Sequence, residues 1–290
     1  MKILVVGATG MLGEPVAKQL QSEGHTVRIL SRNVEKAQVI FGDSFEVVYG
    51  DVEQPTTLSA ALADCEGVHI SLAGGPTPAS YERIEHQGTA NVVQAAANAG
   101  VAYVTYLSGF SVNETNRYKN YATNAKFMAE TAVKASGIPY TIFRATWFME
   151  SLPLFIQNGR AVMIGKQNTP LHWLAVQDYA EMVATAYRTK QAANKTLYVY
   201  GPKALSMNTA VKQYQTRIHP EAAFTKSPTW LITLMAKMTR SAELKDIATF
   251  MKYMEQIQEV GSPEEANSLL GKPQTTFEEW LNHQLEFATA

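Results

Sequence analysis

Residues 7–13, Gly-Ala-Thr-Gly-Met-Leu-Gly, place three glycines at intervals of three directly after the apolar run 3–6. That pattern between a strand and a helix suits a dinucleotide. The first glycine allows a tight turn, the second lets backbone approach a pyrophosphate, and the third lets the helix pack closely on the strand. The start of the helix then offers unpaired N–H groups and the positive end of its dipole to the phosphates. Gly7, Thr9, Gly10, Met11, Leu12 and Gly13 are therefore the expected pyrophosphate cradle. No Gly-Lys-Ser/Thr follows, so the loop is not of the nucleoside-triphosphate type.

The end of the second apolar run carries Leu30-Ser31-Arg32-Asn33, where NAD-selective folds place a carboxylate for the ribose hydroxyls. Here Ser31 and Arg32 stand instead. A guanidinium at that point grips a 2′-phosphate in a charge-assisted fork and stacks on adenine, with Lys36 about one turn further on. NADP(H) is thus expected in preference to NAD(H). Asp51 either accepts from the adenine amino group or caps the turn that follows, and Val52 offers backbone. The small residues around Ser71, Leu72 and Ala73 let backbone lie beside the cofactor ribose and nicotinamide at a strand's carboxyl end.

These residues need a scaffold, and the chain provides an alternation. Strands are expected at 3–6, 26–30, 46–49, 67–72, 103–108 and 140–144. Helices are expected at 15–22, 34–41, 55–62, 81–99 and 121–136. Strand-then-helix alternation with short links implies a parallel sheet, and short Val- and Ile-rich runs suit strands covered on both faces. The fold expected is α/β, a doubly wound parallel sheet of the Rossmann type with a smaller, mainly helical carboxy-terminal lobe. The NADP-binding domain is read as 1–145, rejoined by 171–201, and the substrate-binding or cap lobe as 146–170 and 202–290. Within the second half a strand is expected at 171–176, a helix at 178–187 with Asp178 as its N-cap, and a strand at 197–200. Residues 206–260 read as mostly helical with no further strand. Met235, Met238, Met251 and Met254 are either helix core or an adaptable wall for an apolar substrate.

Composition narrows the function further. Lys plus Arg is 25 against 26 for Asp plus Glu, a formal net charge of −1, which excludes a general affinity for nucleic acid or anionic lipid. Cys65 is the single cysteine, so neither an internal disulfide nor a cysteine-based zinc cluster is available, and no metal site is expected. There is no secretory signal and no apolar run of the ~18 residues a membrane span needs. The chain reads as soluble and cytoplasmic, a monomer or a homodimer, with a small molecule as its partner.

The glycine loop, the segment SRN, GDVEQPTTLSAAL, HQGTANVVQAAANAGVAYVTYLSG and KFMAETAVKASGIPYTIFRATWFMESL together resemble the NmrA-like atypical short-chain dehydrogenase/reductases. LHWLAVQDYAEMVATA and LLGKPQTTFEEWLNHQ resemble the carboxy-terminal half of the same group, so the resemblance spans nearly the whole chain. It implies a Rossmann fold and a nicotinamide cofactor. The group includes NADPH-dependent quinone, azo-dye and triphenylmethane-dye reductases, relatives of isoflavone reductase, and regulators that bind dinucleotide without catalysis.

Standard short-chain dehydrogenases use Tyr-x-x-x-Lys, four residues apart on one helical face. Here Tyr121 and Lys126 are five apart and Tyr118 is eight before Lys126. Tyr121 remains a candidate proton donor if the helix starts late, near Thr123. The resemblance implies that Lys126 bonds the nicotinamide ribose and places positive charge beside a developing oxyanion, or transfers the proton itself. Pairing with Glu130 on a solvated face is the alternative. Ser108 matches the position of the short-chain dehydrogenase serine and either binds a substrate carbonyl or caps its turn. Ala145, where relatives commonly have proline nearby, and Phe148 are counted with the cofactor contacts, with Thr146 and Trp147 beside the nicotinamide. His172 is either structural or site-lining. Trp147, Phe148, Phe155, Trp230 and Met235 are the expected apolar wall. The leading function is an NADPH-dependent reductase of a quinone, dye or enone type of acceptor. The second is a dinucleotide sensor acting through a protein partner. An epimerase or dehydratase, which needs Tyr-x-x-x-Lys, ranks below both.

Overall fold

Short runs rich in Val and Ile become a parallel sheet in the computed structural model, which describes residues 1–75 and 77–289. The first six strands are β1 (Lys2–Val6), β2 (Thr26–Ser31), β3 (Glu46–Tyr49), β4 (Gly67–Ile70), β5 (Tyr103–Gly109) and β6 (Tyr140–Ala145). Between them lie α1 (Gly13–Ser22), α2 (Val34–Phe41), α3 (Leu58–Ala61), α4 (Pro78–Ser80), α5 (Thr89–Asn98) and α6 (Tyr121–Ala135). The expected helix at 55–62 is a 3-10 turn, Pro55–Thr57, leading into the single turn of α3. The expected helix at 81–99 is interrupted: a π-helix, Tyr81–Gly88, stands between α4 and α5.

After β6 come β7 (Trp147–Phe148), β8 (Ile156–Gln157), β9 (Arg160–Ile164) and β10 (Pro170–Leu174), then α7 (Val176–Arg188) and β11 (Lys195–Val199). The helix α7 begins at Val176, so Asp178 lies inside its first turn and is not the N-cap. β10 ends at Leu174 and the helix follows after Ala175 alone, two residues ahead of Asp178. A carboxylate in a first turn is still favoured by the helix dipole. Next are β12 (Ala204–Ser206), α8 (Met207–Ile218), β13 (Ala223–Ser227), α9 (Thr229–Thr239), α10 (Ala242–Met254), α11 (Glu264–Leu270) and α12 (Phe277–Thr289).

Two compact units result. The first comprises Met1–Ala145, Val176–Val199 and Ser262–Lys272. Its seven strands run in the order β11-β6-β5-β4-β1-β2-β3, and every neighbouring pair is parallel. This is the Rossmann order, with the reversal between β1 and β4 that opens a ligand crevice at the strands' carboxyl ends. One face buries Leu4, Val6, Val68, Ile70, Val104, Tyr106 and Ile142 with residues of α3, α5 and α6. On the other face Phe143 meets Tyr179 of α7 edge-on, and His69 bonds Thr105, which in turn bonds Tyr187.

The second unit comprises Thr146–Ala175, Tyr200–Gly261 and Pro273–Ala290. It holds two small sheets, β12-β10-β7 and β13-β9-β8. The strand β13 falls where none was expected. Its sequence, AFTKS, becomes a strand by parallel pairing with β9, sixty-odd residues earlier, which no local pattern announces. Met149, Leu152, Met163, Trp173, Tyr214, Phe277 and Trp280 form the core of this unit. Met251 and Met254 join the buried set, whereas Met235 and Met238 are 43% and 77% exposed on α9, so only the α10 pair is core.

Candidate cofactor and active site

The glycine loop joins β1 to α1, and its three glycines do different work. Gly7 has φ +84°, and a Cβ there would lie 2.1 Å from the Ser71 carbonyl oxygen. A Cβ on Gly13 would lie 2.3 Å from the Gly7 oxygen. These two are required by the fold itself. A Cβ on Gly10 would meet only the Gly7 oxygen, at 3.3 Å, and Gly10 is exposed. Its open side faces outward, where backbone can approach a ligand. Gly10 N–H donates to Gly7, and the N–H groups of Gly13 and Glu14 both donate to the Gly10 carbonyl. Among the described residues the N–H groups of Met11 and Leu12 find no acceptor, and α1 has no side-chain cap. Two unsatisfied donors at a helix start form an anion seat, and the residues present fit a pyrophosphate.

Beside it, Gly50 N–H donates to the Ser31 carbonyl and closes the ends of β2 and β3. Ser31 Oγ is engaged with the backbone of Asn33, which caps α2 through Lys36 N–H. Arg32 and Lys36 are exposed and make no ion pair or side-chain hydrogen bond among the described residues. Two cations without a partner among the described residues therefore stand just beyond the end of β2. Asp51 behaves differently from a base reader. Its Oδ1 accepts from Glu53 N–H and its Oδ2 from Gln54 Nε2, so both oxygens serve its own turn. Of the two roles expected for Asp51, the geometry is that of the cap. The Val52 carbonyl is taken by Asn91 Nδ2. Thr9 and Ala73 are exposed, Ser71 and Leu72 half-buried.

The titratable groups gather at the carboxyl end of β5. Lys126, on α6, donates from Nζ to Glu85 Oε1 at 3.0 Å and to the Leu107 carbonyl at 3.3 Å. Tyr106 donates its hydroxyl to the same Glu85 oxygen at 2.7 Å. Glu85 comes from the π-helix and is wholly buried. Glu130, the alternative partner for Lys126, is occupied elsewhere. It takes both Arg144 Nε at 2.9 Å and Nη2 at 2.8 Å, together with Lys134 at 3.2 Å.

Ser108 donates its hydroxyl to Glu130 at 2.7 Å and is 3% exposed. Its proton is committed to a buried carboxylate, so neither a carbonyl-binding nor a capping role fits it. Tyr121 does not gain from a late helix start. Asn120 accepts from the N–H groups of Ala122 and Thr123 and starts α6 at Tyr121, keeping the five-residue spacing to Lys126. The Tyr121 ring packs edge-on against Tyr81 at 5.3 Å. Burial, with Glu85 and Tyr121 nearby, pushes the Tyr81 phenol up to about 12, which makes it a weak acid at neutral pH. Tyr118 is 75% exposed and donates to Glu114. The Ala145 carbonyl accepts from Phe110 N–H.

Glu85, Tyr106 and the Glu130–Arg144 pair were not among the residues expected from the sequence. A signal existed for the first. The buried positions Gly88, Thr89, Val92, Val93 and Ala96 form a helical stripe that extends back to residue 85, so Glu85 is an acid on an apolar face.

Within the second unit the His172 imidazole is held on several sides. His172 Nδ1 lies 2.6 Å from Glu259 Oε2, and its backbone N–H donates to Oε1 at 2.6 Å. Thr146 donates its hydroxyl to the His172 carbonyl at 2.6 Å, and the Tyr200 ring stacks on the imidazole at 5.4 Å. The expected apolar wall is not one surface. Trp147 and Phe155 pack with Trp173 and Phe250 inside the unit, and Phe148 is buried in β7. Trp230 and Met235 are exposed on α9. An open groove of about 820 Å³ in this unit is lined by Lys212, Arg217, Lys226, Phe224, Phe277 and Leu281 among others, and by none of those five residues. Among the described residues no three His, Cys, Asp or Glu side chains could hold a metal, and no helix is long and apolar enough to cross a membrane.

The profile of the NmrA-like family matches residues 1–281. A (4-alkanoyl-5-oxo-2,5-dihydrofuran-3-yl)methyl phosphate reductase of Streptomyces griseus is 30% identical over 70% of this chain and 69% of its own length. The photosystem II assembly factor Ycf39 of Synechocystis is 27% identical over 83% of this chain and 74% of its own. Among solved structures, the NADPH-complexed quinone oxidoreductase QOR2 of Escherichia coli superposes with a TM-score of 0.77 at 21% identity, covering 98% of this chain and 99% of that one. At that identity the likeness is one of fold.

Proposed function

The chain belongs to the NmrA-like family, and on that footing we propose that it is an NADPH-dependent reductase of a small apolar or aromatic acceptor, of the quinone, dye or enone type. The observation that carries the reading is the seat at the head of α1. Two unsatisfied N–H groups, at Met11 and Leu12, lie beside an open Gly10, with the unpartnered Arg32 and Lys36 at the end of the next strand. The backbone donors and the helix dipole hold the pyrophosphate. Arg32 forks onto the 2′-phosphate with Lys36 beside it, which is the basis for NADP(H) over NAD(H).

When bound, the cofactor supplies a hydride from its nicotinamide ring. Lys126 has two of its three donors fixed on Glu85 and Leu107, leaving one for the nicotinamide ribose and a positive charge for an acceptor that turns anionic. Quinone- and dye-type acceptors take their proton from water, so a tyrosine four residues before Lys126 is not required. The reductase among the relatives supports reductive chemistry.

A second reading, a dinucleotide-binding regulator that acts through a partner protein, draws on the assembly factor that matches over most of the chain and on the missing Tyr-Lys dyad. NADPH consumption against a panel of quinones, dyes and enones separates the two. Turnover of any acceptor supports the reductase, and tight binding without turnover supports the regulator.

A further inference from the structure

We propose that Glu85 is the positioning residue of this site: from a π-helical turn it holds the Lys126 ammonium against the Leu107 carbonyl at the carboxyl end of β5, so that the remaining ammonium N–H is kept for the cofactor. This rests on the cofactor reading above.

A carboxylate is costly to bury, and a helix stripe of small and apolar residues is a poor place for one. Glu85 nonetheless occupies that stripe at zero exposure. It lies in the π-helix Tyr81–Gly88, an eight-residue stretch between α4 and α5. Buried Ser80 lies just before that stretch, and from Glu85 onward the buried positions Gly88, Thr89, Val92, Val93 and Ala96 continue the stripe at helical spacing. π-helical backbone within helices is rare and is frequent at functional sites.

The fold alone does not account for the arrangement. Oε1 accepts two hydrogen bonds, from Lys126 at 3.0 Å and Tyr106 at 2.7 Å, while Oε2 is buried with no partner among the described residues. A structural ion pair is expected to satisfy both oxygens, since an unmatched buried oxygen costs stability. Glu130, 2% exposed, shows what full satisfaction looks like: Ser108 and Arg144 take Oε1, and Arg144 and Lys134 take Oε2. Glu85 instead concentrates its bonds on the oxygen that fixes Lys126. The ammonium can donate three hydrogen bonds, and two are directed inward, to Glu85 and Leu107. Lys126 keeps 22% of its side chain exposed. Glu85 acts through Lys126 and has no accessible surface with which to touch cofactor or acceptor.

The test is a cycle of NADPH dissociation constants, read by nicotinamide fluorescence, for the full chain and its E85Q, K126M and E85Q/K126M variants, with melting curves alongside. E85Q is expected to weaken binding about tenfold, and on the K126M background to add nothing, because the two residues act as one unit. E85D, which keeps the charge but withdraws the carboxylate by one methylene, is expected to weaken binding as well. It carries the test by itself should E85Q not fold. Wild-type affinity in both Glu85 variants, or an E85Q loss that persists in full without Lys126, overturns the assignment. A wild-type chain that binds no NADPH overturns the cofactor reading, and this inference with it.

Discussion

Gly7 passes Ser71 so closely that a single added methyl group at Gly7 would sit 2.1 Å from the Ser71 carbonyl oxygen. The contact joins the first strand's exit to the fourth strand's exit, the two backbones between which a Rossmann sheet opens its crevice. Gly10, three residues later, has no such neighbour: the nearest atom to its missing Cβ is 3.3 Å away.

The contrast predicts different outcomes for the same substitution. Gly7→Ala, strained at φ +84° and blocked by backbone, should lose more than about 2 kcal/mol of stability. Gly10→Ala should change stability by less than about 1 kcal/mol yet weaken NADPH binding tenfold or more, since only the ligand's approach is obstructed. Thermal melting paired with an NADPH titration reads both. Equal melting temperatures for the two variants would contradict the division of roles.

Arg32→Ala should weaken NADPH binding by more than ~1.4 kcal/mol, or tenfold, and leave NADH nearly unchanged, because only the contact to the 2′-phosphate is lost. Titration of both cofactors against both proteins decides it. Equal losses for NADPH and NADH would remove the ground for NADP selectivity.

Ser108→Ala should cost about 1–2 kcal/mol, from one hydrogen bond to a buried charge, and leave turnover within about twofold of wild type. Glu130→Gln should cost about 3 kcal/mol or more, since it leaves the Arg144 guanidinium half-buried beside a neutral amide. A large loss of turnover in Ser108→Ala with unchanged melting would return Ser108 to the catalytic set.

Most of the sheet and the glycine loop between β1 and α1 were legible because their signals are local. Strand runs, the glycine spacing and the start of α2 after Asn33 depend on neighbours within a few residues. The expected strand at 46–49 and helix at 34–41 match their observed bounds. What escaped depends on distant partners. β13 exists through β9, Ser108 is claimed by Glu130 from the next helix, and the scattered wall of Trp147, Phe155, Trp230 and Met235 reflects packing that position after the sheet does not determine. The π-helix was hidden for another reason: residues 81–99 read as one helix, and the buried positions from Glu85 to Ala96 keep a helical spacing that does not reveal the change of hydrogen bonding at Tyr81–Gly88.

His69 supplies a test that depends on pH. It is fully buried in β4, and desolvation lowers its imidazole from 6.5 to about 3. The unfolded chain therefore takes up a proton that the folded chain refuses, and stability falls as pH drops from about 6.5 toward 3. Between pH 7 and pH 5 this group alone should cost about 2 kcal/mol, at roughly 1.4 kcal/mol per unit once it titrates in the unfolded state. His69→Leu should flatten that part of the profile in denaturant melts. An unchanged slope in the variant would show that His69 is not the group responsible.

On the proposed reading, this chain reduces a small acceptor at the expense of NADPH, with Lys126 at the reacting end. The most direct measurement is the loss of NADPH absorbance with a panel of quinones, azo and triphenylmethane dyes and enones, for wild type and Lys126→Ala. Turnover of at least one acceptor by wild type is expected, with a loss of about a hundredfold or more in kcat/KM on removing the lysine charge. A wild-type protein that binds NADPH tightly and consumes none on any acceptor would contradict it.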